Sequence, residues 1–201
     1  MTKVKLCGMM QPADIACANR LMPDYVGFVF AAGSKRCVST ALARAMKAQL
    51  AEGVQAVGVF VDAPPEHVAE LLEEGIIDIA QLHGREDEAT IARLRQLTAK
   101  PIIQAFRVAS AADIARANAS SAEHVLLDAG GGSGTCFDWA LLDGMMRPYF
   151  LAGGLDAANV AAAIARLHPY AVDVSSGIET DGHKDPDKMT AFMTQVRREQ
   201  L

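Results

Sequence analysis

A cysteine at position 7, a carboxylate at position 128 and two glycine–serine stretches near the carboxyl end are the parts of this chain best suited to chemistry. Cys7 closes the run Val4-Lys5-Leu6-Cys7 and is followed by Gly8. Such a thiol is either a small inert core residue or, where a positive or hydrogen-bonding setting favours its thiolate, a base or nucleophile. Asp128 closes Val125-Leu126-Leu127, where an ionised carboxylate is costly unless it is paired or working. It reads as a cap for the glycine-rich stretch behind it or as a proton donor. Gly153-Gly154 and Ser175-Ser176-Gly177 are either two tight turns or one phosphate cradle, because glycine lets backbone N–H groups approach the oxygens and serine adds a hydroxyl donor.

Other polar residues carry two readings each. Arg36 and Arg107 can pair with a substrate carboxylate or simply be solvated. His83, in Gln81-Leu82-His83-Gly84, can donate to a ligand or cap the next helix, and Asp62 reads as a turn residue. Gly130 to Gly134 lacks the lysine of a P-loop and the spacing of a dinucleotide site, so no nucleotide is expected there. A Schiff-base lysine should stand near a strand end, and only Lys35 and Lys184, both expected in loops, come close.

These residues are ordered by the elements that must hold them. Eight apolar runs, Val4–Cys7, Tyr25–Phe30, Ala56–Val61, Asp78–Leu82, Ile102–Phe106, His124–Leu127, Tyr149–Ala152 and Ala171–Val174, alternate with helical patterns. The helices are expected over Ala13–Met22, Thr40–Glu52, Pro64–Glu74, Glu86–Leu97, Ser110–Asn118, Asp138–Met145, Asp156–Leu167 and Asp185–Arg198. Eight βα rounds predict an α/β chain closed into a (β/α)8 TIM barrel, whose chemistry sits at the carboxyl ends of the strands. Strands 1 and 6 then lie three steps apart on the ring, and Cys7 and Asp128 face one another across the mouth as base and acid should. The glycine–serine loops follow strands 7 and 8, the place where barrels of the phosphate-binding type hold phosphate.

With 201 residues, 51% of them hydrophobic, residues 1–201 are expected to form one domain with one core and short active-site loops. A net charge of -5 leaves no basic footprint for nucleic acid. No run is long and apolar enough for a bilayer, no secretion signal opens the chain, and Cys7, Cys17, Cys37 and Cys136 form neither a C-x-x-C pair nor a metal spacing. The expectation is a cytoplasmic protein, a monomer or homodimer with free thiols, acting on a small phosphosugar without metal or cofactor.

Taken together, Lys5-Leu6-Cys7-Gly8, Gly27-Phe28-Val29-Phe30 with Ser34-Lys35-Arg36, Gln81-Leu82-His83-Gly84, Leu126-Leu127-Asp128, Gly131 to Gly134 with Phe137-Asp138-Trp139, Leu151 to Leu155, and Asp173 to Gly177 with Glu179, Gly182, Lys184 and Asp185 resemble the phosphoribosylanthranilate isomerases of tryptophan biosynthesis over nearly the whole chain. The resemblance implies an Amadori rearrangement with Cys7 as general base and Asp128 as general acid. It further implies Arg36 at the anthranilate carboxylate, His83, Gly131 and Gly132 at the substrate, and Gly153, Gly154, Ser175, Ser176 and Gly177 around the phosphate. Cys7 is then expected to be the thiol that ionises near neutral pH. Cys37 stands where an aromatic residue often follows the arginine in such enzymes, and Thr135-Cys136 where a lysine is common. Two rivals are the similar sugar isomerase of histidine biosynthesis, which carries an aspartate at the strand 1 position, and a non-catalytic phosphosugar-binding module on the same fold.

Overall fold

Each apolar run becomes a strand that is largely buried: β1 (Lys3–Cys7), β2 (Tyr25–Val29), β3 (Gln55–Phe60), β4 (Ile79–Leu82), β5 (Ile102–Arg107), β6 (His124–Asp128), β7 (Tyr149–Ala152) and β8 (Ala171–Val174). They pair in parallel and in chain order, and β8 closes on β1 through Lys3↔Ala171 to Leu6↔Val174. The structure, a computed structural model, describes residues 1–128 and 139–198. The loop that was expected to carry Gly131 and Gly132, together with Thr135 and Cys136, lies outside the described residues.

Helices α1 (Pro12–Leu21), α2 (Thr40–Lys47), α3 (Pro65–Glu73), α4 (Glu88–Leu97), α5 (Ala111–Ala119), α6 (Val160–Leu167) and α7 (Pro186–Arg198) alternate with the strands. Several starts follow from capping chemistry: Ser39 Oγ accepts from Leu42 N at 3.2 Å, and Asp87 Oδ1 from Thr90 N at 2.9 Å. The α2 helix stops at Lys47, short of the expected Glu52, because Gln49 and Leu50 bond back three residues and the coil tightens into turns. The α6 helix starts at Val160, four residues late, since Asp156 Oδ1 takes the N–H groups of Ala158 and Asn159 in a capping turn of its own. Between β6 and β7 the described chain forms a 3₁₀ helix, Trp139–Gly144, where an α-helix was expected.

One element was not foreseen. After β8 the chain forms an antiparallel ribbon of β9 (Glu179–Thr180) and β10 (His183–Lys184). Its turn is Asp181-Gly182, both with positive φ, the dipeptide that favours such hairpins.

Strand period 2 sorts the side chains. Val4 and Leu6 of β1 belong to the outer core against the helices, whereas Tyr25, Val57, Ile79, Ile103, Leu126 and Phe150 fill the lower barrel interior. Above them Cys7, Val29 and Val59 form a layer just beneath the mouth.

Candidate active site

A cavity of about 870 Å³ opens at the carboxyl ends of the strands and is lined by Cys7, Arg36, His83, Asp128, Gly153, Gly154, Ser175 and Ser176 among others. The barrel thus brings most of the sequence-predicted residues to one place. Asp62 and Arg107 also line it, and Arg107 stands beside Asp128 in the β5–β6 register. A smaller apolar concavity between α5 and the 3₁₀ helix has no ionisable side chain among the described residues that line it.

Cys7 is buried and pairs in register with Gly27 on β2. A Cβ at position 27 would lie 2.7 Å from Cys7 Sγ, so glycine there makes the room that the thiol occupies. Below Cys7, on the same face of β1, stands Lys5, fully buried, its Nζ 3.0 Å from Asp173 Oδ1 on β8. Two residues along the same strand face, Lys5 places its positive charge on the side from which Cys7 projects. Burial pushes the Cys7 thiol up, and it outweighs the pull of Lys5 and Lys184 in the other direction. The thiol of the free protein is therefore harder to ionise than an ordinary cysteine, contrary to the expectation of ready ionisation near neutral pH. Positive neighbours are present, but desolvation prevails over them.

Arg36 presents Nε and Nη2 to the two oxygens of Glu179 at 2.6 and 2.7 Å. That side-on pair fixes the guanidinium and leaves the Nη1 side for a second anion. Lys184 Nζ reaches Glu179 at 2.6 Å and Ser175 O at 3.0 Å. Burial alone would raise the Glu179 carboxyl, but hydrogen bonds from Arg36 and Lys184 hold it down at about 2. Burial pushes Lys184 below the usual lysine range even with Glu179 opposing it.

Asp128 Oδ2 lies 3.4 Å from His83 Nε2, with both side chains about a third exposed at the rim. The other ring nitrogen of His83 is 2.7 Å from Gln81 Nε2. With that amide donating, Nδ1 accepts and Nε2 carries the hydrogen that faces Asp128. His83 is thus placed beside the candidate acid as well as in the cavity wall.

Gly153 and Gly154 both take positive φ, 96° and 66°, which turns the chain sharply after β7. Asn159 Nδ2 donates to Gly154 O at 2.9 Å and braces the turn. Ser175 and Ser176 line the cavity from the β8 side. Gly177 does not line it: a Cβ there would meet Leu155 O at 2.0 Å, so this glycine lets the two loops pack backbone to backbone.

Three participants were quoted within the sequence motifs but given no role. Lys5 and Asp173 received none because their pairing runs across the sheet, yet period 2 requires Lys5 to point inward if Cys7 does. Gln81 follows the same rule as His83 on β4. Its Oε1 is buried without a hydrogen-bond partner among the described residues. Glu179 and Lys184 were noticed as part of a motif, and the hairpin signal Asp181-Gly182 between them could have shown that they pair.

The chain compares closely with known proteins. The family model described as N-(5'phosphoribosyl)anthranilate (PRA) isomerase matches residues 4–195. The N-(5'-phosphoribosyl)anthranilate isomerase of Endomicrobium trichonymphae is 43% identical over 194 residues, covering 94% of this chain and 95% of the relative. Among solved structures, phosphoribosyl anthranilate isomerase from Thermotoga maritima superposes with a TM-score of 0.90 at 35% identity, covering 98% of this chain and 100% of that one. A phosphoribosyl anthranilate isomerase in complex with reduced 1-(o-carboxyphenylamino)-1-deoxyribulose 5-phosphate superposes with a TM-score of 0.87 at 34% identity over 98% of this chain and 100% of that one. A full-length family match and relatives well above 30% identity carry one conclusion: the chain belongs to the phosphoribosylanthranilate isomerase family.

Proposed function

We propose that this chain catalyses the Amadori rearrangement of N-(5′-phosphoribosyl)anthranilate to 1-(2-carboxyphenylamino)-1-deoxyribulose 5-phosphate, an aldose–ketose isomerisation and so an intramolecular oxidoreduction. Family membership supports the reaction. The observation that carries the assignment of roles is the placement of a thiol and a carboxylate, Cys7 and Asp128, in one cavity on strands three steps apart.

Asp128 gives its proton to the furanose ring oxygen as the C1–O bond breaks, and the anilino nitrogen supplies the electron pair that forms the C1=N iminium. Cys7, as thiolate, then removes the proton at C2; the C2–H electrons form the C1=C2 bond and the iminium becomes an enolamine. The Cys7 thiol gives its proton back at C1 while the C2 hydroxyl proton passes to the Asp128 carboxylate, which leaves the ketone and restores both groups. Atoms and electrons balance within the substrate, and the enzyme ends as it began. Arg36 offers its free edge to the anthranilate carboxylate, and His83 steadies Asp128. The backbone of Gly153 and Gly154 with Ser175 and Ser176 receives the phosphate, while Gly177 keeps those loops together.

A turnover assay with freshly prepared phosphoribosylanthranilate tests the reading directly. Formation of the ketose product supports it, and a purified, folded protein that leaves the substrate to spontaneous hydrolysis overturns it.

A further inference from the structure

We propose that Lys5, held in place by Asp173, is the positioning residue that provides the charge partner for the Cys7 thiolate; the inference rests on the reading of Cys7 as the base. Lys5 and Cys7 are two residues apart on β1 and project to the same side, so the ammonium lies directly beneath the thiol. Asp173 is the register partner of Lys5 on β8, and their 3.0 Å contact fixes the ammonium in a fully buried position. Lys5 donates to Asp173, and its positive charge favours the Cys7 thiolate while Asp173 and burial oppose it.

Stability is a poor reason for this arrangement. A buried ion pair loses most of its Coulombic gain to desolvation, and an apolar pair of similar volume commonly does as well. Apolar side chains such as Ile79, Ile103, Val29 and Val59 fill the layers around it and would accommodate one. What the pair does provide is a fixed positive charge at the base, where a carbon acid must be deprotonated by a buried thiol.

Among the described residues, the other charged groups that face Cys7 each have a partner of their own. From the loop after β2, Arg36 is bound to Glu179. From β10, Lys184 is bound to Glu179 and to Ser175. From β8, Asp173 opposes ionisation of the thiol and is offset by Lys5. Burial alone would push Lys5 down, but Asp173 and Cys7 hold it above the usual lysine range, so it stays an ammonium throughout.

The two members of the pair should therefore act on Cys7 with opposite sign. Lys5→Met removes the cation and leaves Asp173 facing the thiol, which should move Cys7 ionisation to higher pH by about 1 to 3 units. Asp173→Asn leaves Cys7 as the anion nearest Lys5 and should move ionisation to lower pH. The ionisation is read from the pH dependence of iodoacetamide labelling at Cys7, resolved by peptide mapping. The acid limb of kcat/KM is measured on the same proteins and should shift in the same two directions. A merely structural role would move both variants the same way or neither. Labelling that is unmoved in both folded variants, or moved in one direction by both, overturns the coupling and leaves Cys7 as base untouched. Labelling that moves as expected while the acid limb stays fixed overturns Cys7 as base and with it the role of Lys5. Should Lys5→Met fail to fold, Asp173→Asn decides alone: a shift to lower pH supports the proposal, and no shift or a shift to higher pH overturns it.

Discussion

Arg36 and Glu179 stand 143 residues apart in the chain and meet as a bidentate pair, with N···O distances of 2.6 and 2.7 Å. The same carboxylate binds Lys184, which in turn holds the Ser175 carbonyl. One buried anion therefore links the arginine proposed for the substrate carboxylate to the loop proposed for its phosphate. Glu179→Gln keeps the shape and removes the charge on which both cations rest. Loss of a charge-assisted contact of about 1.5 to 3 kcal/mol should raise KM by about 10- to 100-fold while kcat falls less. Steady-state kinetics checks this, and an unchanged KM would return Glu179 to a purely structural role.

The same residue sets a pH dependence of stability. Its folded carboxyl titrates at about 2, below the ordinary glutamate value near 4.3. A depressed folded value contributes stability that is fully present above the unfolded value and is lost as pH falls from there through about 2. Denaturant midpoints of wild type between neutrality and pH 3 should decline, and Glu179→Gln should flatten part of that decline. Parallel curves for the two proteins would show that the carboxylate is not stabilised by Arg36 and Lys184.

Gly27 sets the position of the base by having no side chain. Gly27→Ala would put a methyl 2.7 Å from Cys7 Sγ and 3.0 Å from its Cα, so the thiol must move. A displacement on the order of 1 Å at a reacting group costs about 10²-fold in rate. We expect kcat to fall by that order while inhibition by inorganic phosphate, which depends on the loops after β7 and β8, is kept. Equal loss of both would point to general damage to the barrel.

Thiol reactivity should divide by burial. Cys37 is exposed, whereas Cys7 is buried and its thiol is pushed up. At neutral pH iodoacetamide should therefore modify Cys37 before Cys7, with activity preserved until Cys7 reacts at higher pH. Peptide mapping alongside residual activity checks the order; inactivation that follows Cys37 would contradict it.

The strands were legible to within a residue or two, because doubly covered parallel strands leave continuous apolar runs such as Val125-Leu126-Leu127, and their order on the ring follows from alternation with helices. Helix ends were less so: Asp156 looked like a start and is instead part of a capping turn, which depends on where its side chain folds back. Cys7, Asp128, Arg36 and the glycine loops stood out through residue type at strand ends. Lys5 and Asp173 did not, since a buried charge is recognised only once its partner across the sheet is known. The Arg36–Glu179 contact joins distant segments through a two-residue ribbon too short to leave a periodic pattern.

The central claim is that Asp128 protonates the substrate, and it is tested most directly by the turnover of Asp128→Asn at saturating phosphoribosylanthranilate. An amide of the same shape can still face His83 but has no acidic proton to give. With melting temperature and product-analogue binding close to wild type, kcat should fall by at least about 10²- to 10⁴-fold, the range for a positioned acid. A folded Asp128→Asn protein that keeps more than half of the wild-type kcat would contradict it.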